Sequence, residues 1–131
     1  MSSLNAIANH SSARWFDLAE LQDLRGYLGG ANAHALFATF AEELPRYRSE
    51  LETATAQHNL RELARTVHNL RGTALSFSCT GLAPLCESIR ASCDRGDYEA
   101  CRESVSALAF AYVCAIAELQ VLRAPGGLLE A

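Results

Sequence analysis

Residues Leu63–Ser78 read LARTVHNLRGTALSFS, and this stretch decides the fold of the chain. Its apolar residues recur at intervals of three and four, which is the pattern of an amphipathic helix. On a helical wheel His68 points about 130° away from the middle of the apolar stripe, toward solvent. The stripe itself is predicted to be buried and consists of Leu63, Val67, Leu70, Ala74 and Phe77.

The exposed side of this predicted helix carries small residues next to its histidine. Gly72 lies one turn after His68 and Ala64 one turn before it, so one flank of the imidazole is open. Glycine in a helix interior costs about 1 kcal/mol relative to alanine, which indicates a packing or functional reason for it. Leu75 is either an apolar contact for a partner or packing at the edge of the core, and the sequence supports both equally.

Arginines surround the same histidine. Between residues 60 and 73 the chain has Arg61, Arg65 and Arg71 but one acid, Glu62, although its net charge is −4. Such a basic patch attracts an anionic partner and can bind phosphate oxygens. A neutral, exposed imidazole nitrogen is nucleophilic near neutral pH, so His68 is a candidate phosphoryl acceptor. The simpler alternative is an ordinary exposed histidine on a solvated helix face.

The bulk properties indicate one soluble globular domain. The chain has 131 residues, half of them apolar and a fifth charged, and its acidic balance argues against a nucleic-acid binder. The longest nearly continuous apolar run, 107–117, is shorter than the roughly 20 residues of a membrane span, so we expect a buried helix without direct membrane contact. The N-terminus lacks the order of a signal peptide, which predicts a cytoplasmic protein or the cytoplasmic part of a larger one.

The pattern along the chain predicts an all-α fold, an antiparallel four-helix bundle with an additional short N-terminal helix. The second helix is expected to start near Asn32 as its N-cap and to kink at Pro45, and Thr80 is expected to cap the fourth helix. Three segments follow from this division: a flexible N-terminal tail at 1–14, the bundle domain at 15–122 and a C-terminal tail at 123–131.

Five cysteines without a CxxC pair predict core filling rather than a disulfide framework or a zinc ribbon. A minor alternative is a metal-binding bundle that uses His34, His58 or His68 together with cysteines. No ligand pair occupies positions i and i+4, so no metal site is predicted.

The segment His68-Asn69-Leu70-Arg71-Gly72-Thr73-Ala74 resembles the signature of histidine-containing phosphotransfer (HPt) domains. That signature is a histidine, any residue, an apolar residue, usually lysine, glycine, a small residue and alanine. The resemblance covers about residues 15 to 121 and includes Phe16-Asp17-Leu18, Leu21, Leu24, Gly29-Gly30, Phe40, Leu82, Leu85 and Cys86.

The resemblance implies a four-helix bundle that relays phosphoryl groups between receiver-domain aspartates and its own histidine, without ATP-dependent kinase activity. It makes His68 the phosphoacceptor and Arg71 the cation that neutralises the phosphoryl group, with Gly72 giving a receiver access. No cofactor is expected in this chain, since the receiver brings its own magnesium. The expected partners are receiver domains of response regulators or of a hybrid sensor kinase. The chain is either free-standing or the cytoplasmic C-terminal domain of such a membrane-bound kinase.

Two positions depart from the family pattern. Arg71 replaces the usual lysine, and arginine offers a planar fork instead of a point charge. Ser78 stands where the family often carries a glycine, ten residues after the histidine. The main alternative function is a bundle that binds a receiver or another signalling protein without being phosphorylated.

Overall fold

The computed structural model describes residues 15–131, and the predicted flexible tail at 1–14 lies outside them. The described residues form five α-helices and one short 3₁₀ turn, with no strand among them, which confirms the all-α prediction. The helices are α1 (Leu18–Leu28), α2 (Gly30–Ala56), α3 (Leu60–Ser76), α4 (Ala83–Asp94) and α5 (Tyr98–Arg123), and the 3₁₀ turn is Thr80–Leu82.

Three helices begin at a side-chain cap that the sequence supplies directly before them. The side-chain oxygens of Asp17, Asn59 and Asp97 each accept a hydrogen bond of 3.1 Å from a backbone N–H in the first turn of α1, α3 and α5. Each cap satisfies a donor that has no partner within the helix. The start of each of these three helices is therefore set by a residue that the sequence supplies.

Two predicted caps are wrong. Helix α2 starts at Gly30 instead of near Asn32, because Gly29 adopts a φ of 89° and turns the chain within one residue. The Asn32 side chain instead donates to the Leu28 carbonyl at 2.9 Å. Thr80 does not cap α4, since it begins the 3₁₀ turn that precedes that helix. Pro84 lies in the first turn of α4, where no backbone donor is needed.

The four longer helices pack in a closed ring. Helix α2 contacts α3, α3 contacts α4, α4 contacts α5, and α5 contacts α2, while α1 packs against α2. The predicted stripe of α3 faces this core: Leu63, Val67, Leu70 and Ala74 are buried, and Phe77 is partly buried at the helix end. Helix α2 continues through Pro45 to Ala56 without a break.

An aromatic cluster fixes α1, α2 and the end of α3 relative to one another. The ring of Phe77 stacks on Phe40 with centroids 4.6 Å apart and meets Phe37 edge-on at 5.1 Å. The ring of Phe16, directly before α1, lies 6.2 Å from that of Phe40 at nearly a right angle. Edge-on contacts are a favoured geometry for aromatic pairs, and ring pairs at these centroid distances stabilise the packing. The cluster thus anchors the C-terminal end of the helix that carries His68.

Helix α5 is long and apolar enough to cross a membrane by length and composition alone, and 44% of its most apolar window is buried inside the protein. The core helix of a soluble protein passes the same test.

The segment after α5, predicted as a tail, returns to the core, where Leu129 is buried and its N–H donates to the Leu122 carbonyl at 2.7 Å. Nδ1 of His34 donates to the Leu129 carbonyl at 2.8 Å.

Ser78, directly after α3, has a φ of 60°, the left-handed conformation that favours glycine. Its carbonyl accepts a hydrogen bond of 2.9 Å from the Asp17 N–H, so this strained residue also holds the start of α1. The family's frequent glycine at this position has a physical reason here, because glycine adopts the conformation without a Cβ clash.

We expect Ser78→Gly to raise the free energy of unfolding by about 0.5–1 kcal/mol, because it relieves this strain. Ser78→Val is the matched variant and should lower the free energy of unfolding, since a β-branched side chain is poorly tolerated at positive φ. Urea denaturation of the three proteins measures both changes. Equal destabilisation by the two substitutions would show that the serine side chain, and not the backbone, decides stability at this position.

Glu118 is a buried acid on the inner side of α5, with 7% of its surface exposed. None of the described residues makes a hydrogen bond with either carboxylate oxygen. Burial raises the pKa of this carboxyl from 4.5 to about 8, and the nearby Phe16 backbone N–H offsets part of the rise. The charged form of Glu118 therefore destabilises the fold.

The folded protein holds the Glu118 proton up to about pH 8, whereas the unfolded chain releases it near pH 4.5. The folded state binds more protons in this window, so the stability that the protonated carboxyl provides is lost as pH rises through it. We expect Glu118→Gln to raise the free energy of unfolding by about 2 kcal/mol near pH 9 and to change it little near pH 5. Denaturant unfolding of both proteins between about pH 5 and about pH 9 measures this difference. A free energy of unfolding that changes with pH in the same way in wild type and Glu118→Gln would contradict the prediction.

Candidate functional site

His68 lies near the middle of α3, on the exposed side of the helix as predicted. No described residue makes a hydrogen bond with either of its ring nitrogens, and its ring contacts no other aromatic ring of the described chain. The other described histidines are engaged. His34 uses both ring nitrogens, since Arg123 donates to Nε2 at 3.1 Å and Nδ1 donates to Leu129, and the ring of His58 stacks on Tyr98. The imidazole of His68 is thus available to an incoming group.

Two surface grooves meet at His68. The groove between α2 and α3 has a volume of about 460 Å³ and is lined by His68, Asn69, Gly72, Thr73, Ser76 and Tyr47. The groove between α3 and α4 has a volume of about 310 Å³ and includes His68, Arg71, Glu87, Arg90 and Asp94. The histidine therefore stands on the ridge between an uncharged groove and one that carries charges of both signs.

Gly72 lies in the uncharged groove, one turn from His68. A Cβ built at this glycine would meet nothing within 4 Å, so packing inside the protein does not require a glycine here. The missing side chain instead leaves a depression in the surface next to the imidazole. On the same side the hydroxyls of Tyr47 and Thr73 form a 2.9 Å hydrogen bond, which ties α2 to α3 beside Gly72.

Two of the three arginines predicted around His68 form ion pairs with glutamates. Nε of Arg71 donates to Glu87 of α4 at 3.0 Å, and Arg65 forms an ion pair with Glu62 on its own helix. Arg61 is exposed and makes no ion pair with any described residue. Both partners of the Arg71–Glu87 pair are about half exposed, at 45% and 59%, so water screens this interaction and it is weak.

The structure places the remaining predicted residues on the same helix. Ala64 is half-buried one turn before His68, and Leu75 is 38% exposed. The site also contains residues that the sequence analysis missed, namely Glu87 and Arg90 of α4 and Tyr47 of α2. The outward positions of Glu87 and Arg90 could have been read from the buried stripe of α4. Which helix they face depends on the packing of the helices.

Metal ligands do not gather around any of these histidines. Within residues 15–131, no group of three or more His, Cys, Asp or Glu side chains is placed to hold a metal ion. His34 contacts Leu129 and Arg123, and His58 stacks on Tyr98, so neither is paired with His68. The arrangement at His68 provides one free nucleophile, an open approach and adjacent cations.

A comparison with protein-family models matches residues 35–124 to the Hpt domain. The match includes α3, α4 and α5 completely and most of α2. No curated protein and no solved structure matches the sequence. Hpt domains carry out histidine phosphotransfer in two-component signalling, interact with receiver domains and are typically cytoplasmic. The matched model covers more than half of the sequence and confirms the resemblance seen at His68–Ala74, so this chain belongs to the Hpt domain family.

Proposed function

We propose that the chain is a phosphotransfer intermediate that relays phosphoryl groups between receiver domains through His68. The observation that carries the proposal is the exposed imidazole of His68, which no described residue bonds, next to Gly72, where even an added Cβ would meet nothing within 4 Å. A nucleophile that must be reached by a second protein needs both properties. The closed ring of packed helices supports the predicted antiparallel bundle as the rigid base of this site.

The reaction follows from the chemistry of the two groups. A ring nitrogen of His68 attacks the phosphorus of a receiver's phosphoaspartate, the bond from phosphorus to the aspartate oxygen breaks, and the carboxylate leaves. The imidazole loses its N–H proton, and a phosphohistidine results. In the second step the aspartate of another receiver attacks the same phosphorus, and His68 regains a proton. The magnesium ion of this reaction belongs to the receiver.

The cations near His68 support the phosphorylated state. Arg71 is in the adjacent groove, and its pair with Glu87 is weak enough to exchange for a phosphoryl group. Arg90 of α4 lines the same groove, and its contact with Asp94 is long, at 3.4 Å, and therefore weak. Gly72, Ala64 and Leu75 belong to the surface on which the receiver docks, together with Arg61 and Arg65.

We expect Arg71→Ala to slow phosphoryl transfer to His68 by about tenfold, because one charge-assisted contact with the phosphoryl group is lost. Glu87→Gln should speed transfer a few-fold, since it releases Arg71. Arg102→Ala is the matched control, because Arg102 is an exposed arginine paired with a glutamate but lines a different groove. Single-turnover rates with a phosphorylated receiver measure the three effects. Equal rates for wild type and Arg71→Ala would remove Arg71 from the site.

The relay is tested with two receivers. A receiver is phosphorylated with labelled acetyl phosphate and mixed with the chain, and a second, unphosphorylated receiver is added after the phosphoryl group has moved. We expect the labelled phosphoryl group to pass to the chain and then to the second receiver. Stable binding of a receiver without any transfer would contradict the relay and would assign the chain the role of a phosphorylation-independent binding module.

A further inference from the structure

Two cysteines face each other where α4 turns into α5. Cys93 lies in the last turn of α4 and Cys101 in the first turn of α5, and their Sγ atoms are 3.6 Å apart. The turn between them is tightly built: the Gly96 N–H donates to the Cys93 carbonyl at 3.0 Å, and the Cys101 N–H donates to the Asp97 carbonyl at 3.1 Å. The close approach of the two thiols is therefore a property of the helix hairpin.

The exposure of the two thiols differs. Cys93 is half-buried, whereas Cys101, whose sulfur it contacts, is fully buried. Cys79 and Cys86 are also buried, and no described cysteine other than this pair makes a hydrogen-bonding contact with a second sulfur. A bound metal does not account for the pair, because within the described residues no third ligand accompanies it.

We propose that Cys93 and Cys101 are a modification site that takes up a reversible disulfide from a small-molecule disulfide. The two sulfur atoms need to approach by about 1.5 Å to reach the S–S bond length of about 2.05 Å. Such a movement requires rotation of the two side chains about their torsions. This inference does not depend on phosphotransfer.

The chemistry is a two-step thiol–disulfide exchange. The Cys93 thiolate attacks one sulfur of oxidised glutathione, a mixed disulfide forms, and the first glutathione thiolate leaves. The Cys101 thiolate then attacks the sulfur of Cys93 and displaces the second glutathione. The two cysteines lose two electrons, oxidised glutathione gains them, and the two thiol protons end on the two glutathione molecules. Burial and the contact with Cys101 raise the pKa of Cys93 to about 12, so the reaction is faster at alkaline pH.

The disulfide would connect the end of α4 to the start of α5. Ala91 and Asp94, on either side of Cys93, line the groove next to His68, so the bond would also restrict one wall of that groove. Closing the intervening loop removes conformational freedom from the unfolded chain. We therefore expect the melting temperature to rise by about 5 °C on oxidation and to fall back on treatment with dithiothreitol.

The test uses the intact chain, incubated with oxidised glutathione at about pH 8.5, where more thiolate is present than at neutral pH. Remaining thiols are blocked with iodoacetamide, and peptide masses locate the modified cysteines. We expect the loss of two free thiols and a linked peptide pair containing Cys93 and Cys101. Cys93→Ser should abolish the linkage and the rise in melting temperature, whereas Cys114→Ser, which changes another half-buried cysteine, should keep both.

Three outcomes would overturn the proposal. One is a mixed disulfide at Cys93 that persists without closure onto Cys101. The second is a linkage between other cysteines, and the third is the retention of all five free thiols.

Discussion

His68→Gln is expected to abolish acceptance of a phosphoryl group, with a decrease in the transfer rate of more than about 1,000-fold, since the attacking nitrogen itself is removed. Glutamine is polar and similar in length, and position 68 is exposed, so the fold should stay unchanged. Transfer from a phosphorylated receiver, followed by gel separation of the labelled proteins, measures the loss. Circular dichroism and the melting temperature show whether the variant is still folded.

The matched control is His58→Gln, which changes another exposed histidine that is engaged with Tyr98 instead of being free. This variant should transfer at the wild-type rate, although loss of the stacked ring can lower its stability. If His58→Gln were inactive and His68→Gln active, the assignment of the phosphoacceptor would be wrong.

Gly72→Leu is expected to slow phosphoryl transfer by about 100-fold, because a bulky side chain fills the open surface next to His68 and displaces the receiver from the geometry of attack. The same substitution should increase the stability of the fold. A Cβ at position 72 meets no other atom within 4 Å, and a helix former replaces glycine in a helix interior. The free energy of unfolding should therefore rise by up to about 1 kcal/mol. This combination separates a role in access from a role in packing.

Gly26→Leu is the control for this prediction, since Gly26 is also exposed within a helix and open to an added Cβ. It should give a comparable gain in stability, which unfolding by urea measures. Gly72→Ala, a smaller change at the site, should stabilise as Gly72→Leu does but slow transfer much less. A loss of stability in both Gly72 variants would mean that the glycine is needed for packing and would contradict its role in access.

The sequence predicted the features of the site that depend on one helix alone. The exposed position of His68, the buried stripe beneath it and the spacing of Gly72 follow from helical periodicity, which the long apolar repeat of α3 makes unambiguous. The family resemblance added the phosphoacceptor role. Features within a single helix could be predicted because their geometry is set by residue spacing.

The features that the sequence missed depend on contacts between helices or on competing local choices. The pair of Arg71 with Glu87 requires α4 to lie beside α3, which no residue spacing encodes. Asparagine is a common N-cap, so the sequence favoured a start near Asn32, whereas α2 begins at Gly30, directly after the positive φ of Gly29. The sequence did not indicate that Glu118 is buried, because that depends on how α5 packs. Its buried carboxyl nevertheless determines the pH dependence of stability that we expect.

The central claim is that His68 carries the phosphoryl group, and locating that group tests it most directly. The wild-type chain is phosphorylated by a charged receiver, digested under mildly alkaline conditions that preserve phosphohistidine, and examined by mass spectrometry with electron-transfer fragmentation. We predict one phosphoryl group per chain, located on His68. Phosphate on any other residue, or its absence while the receiver still binds, would contradict this account.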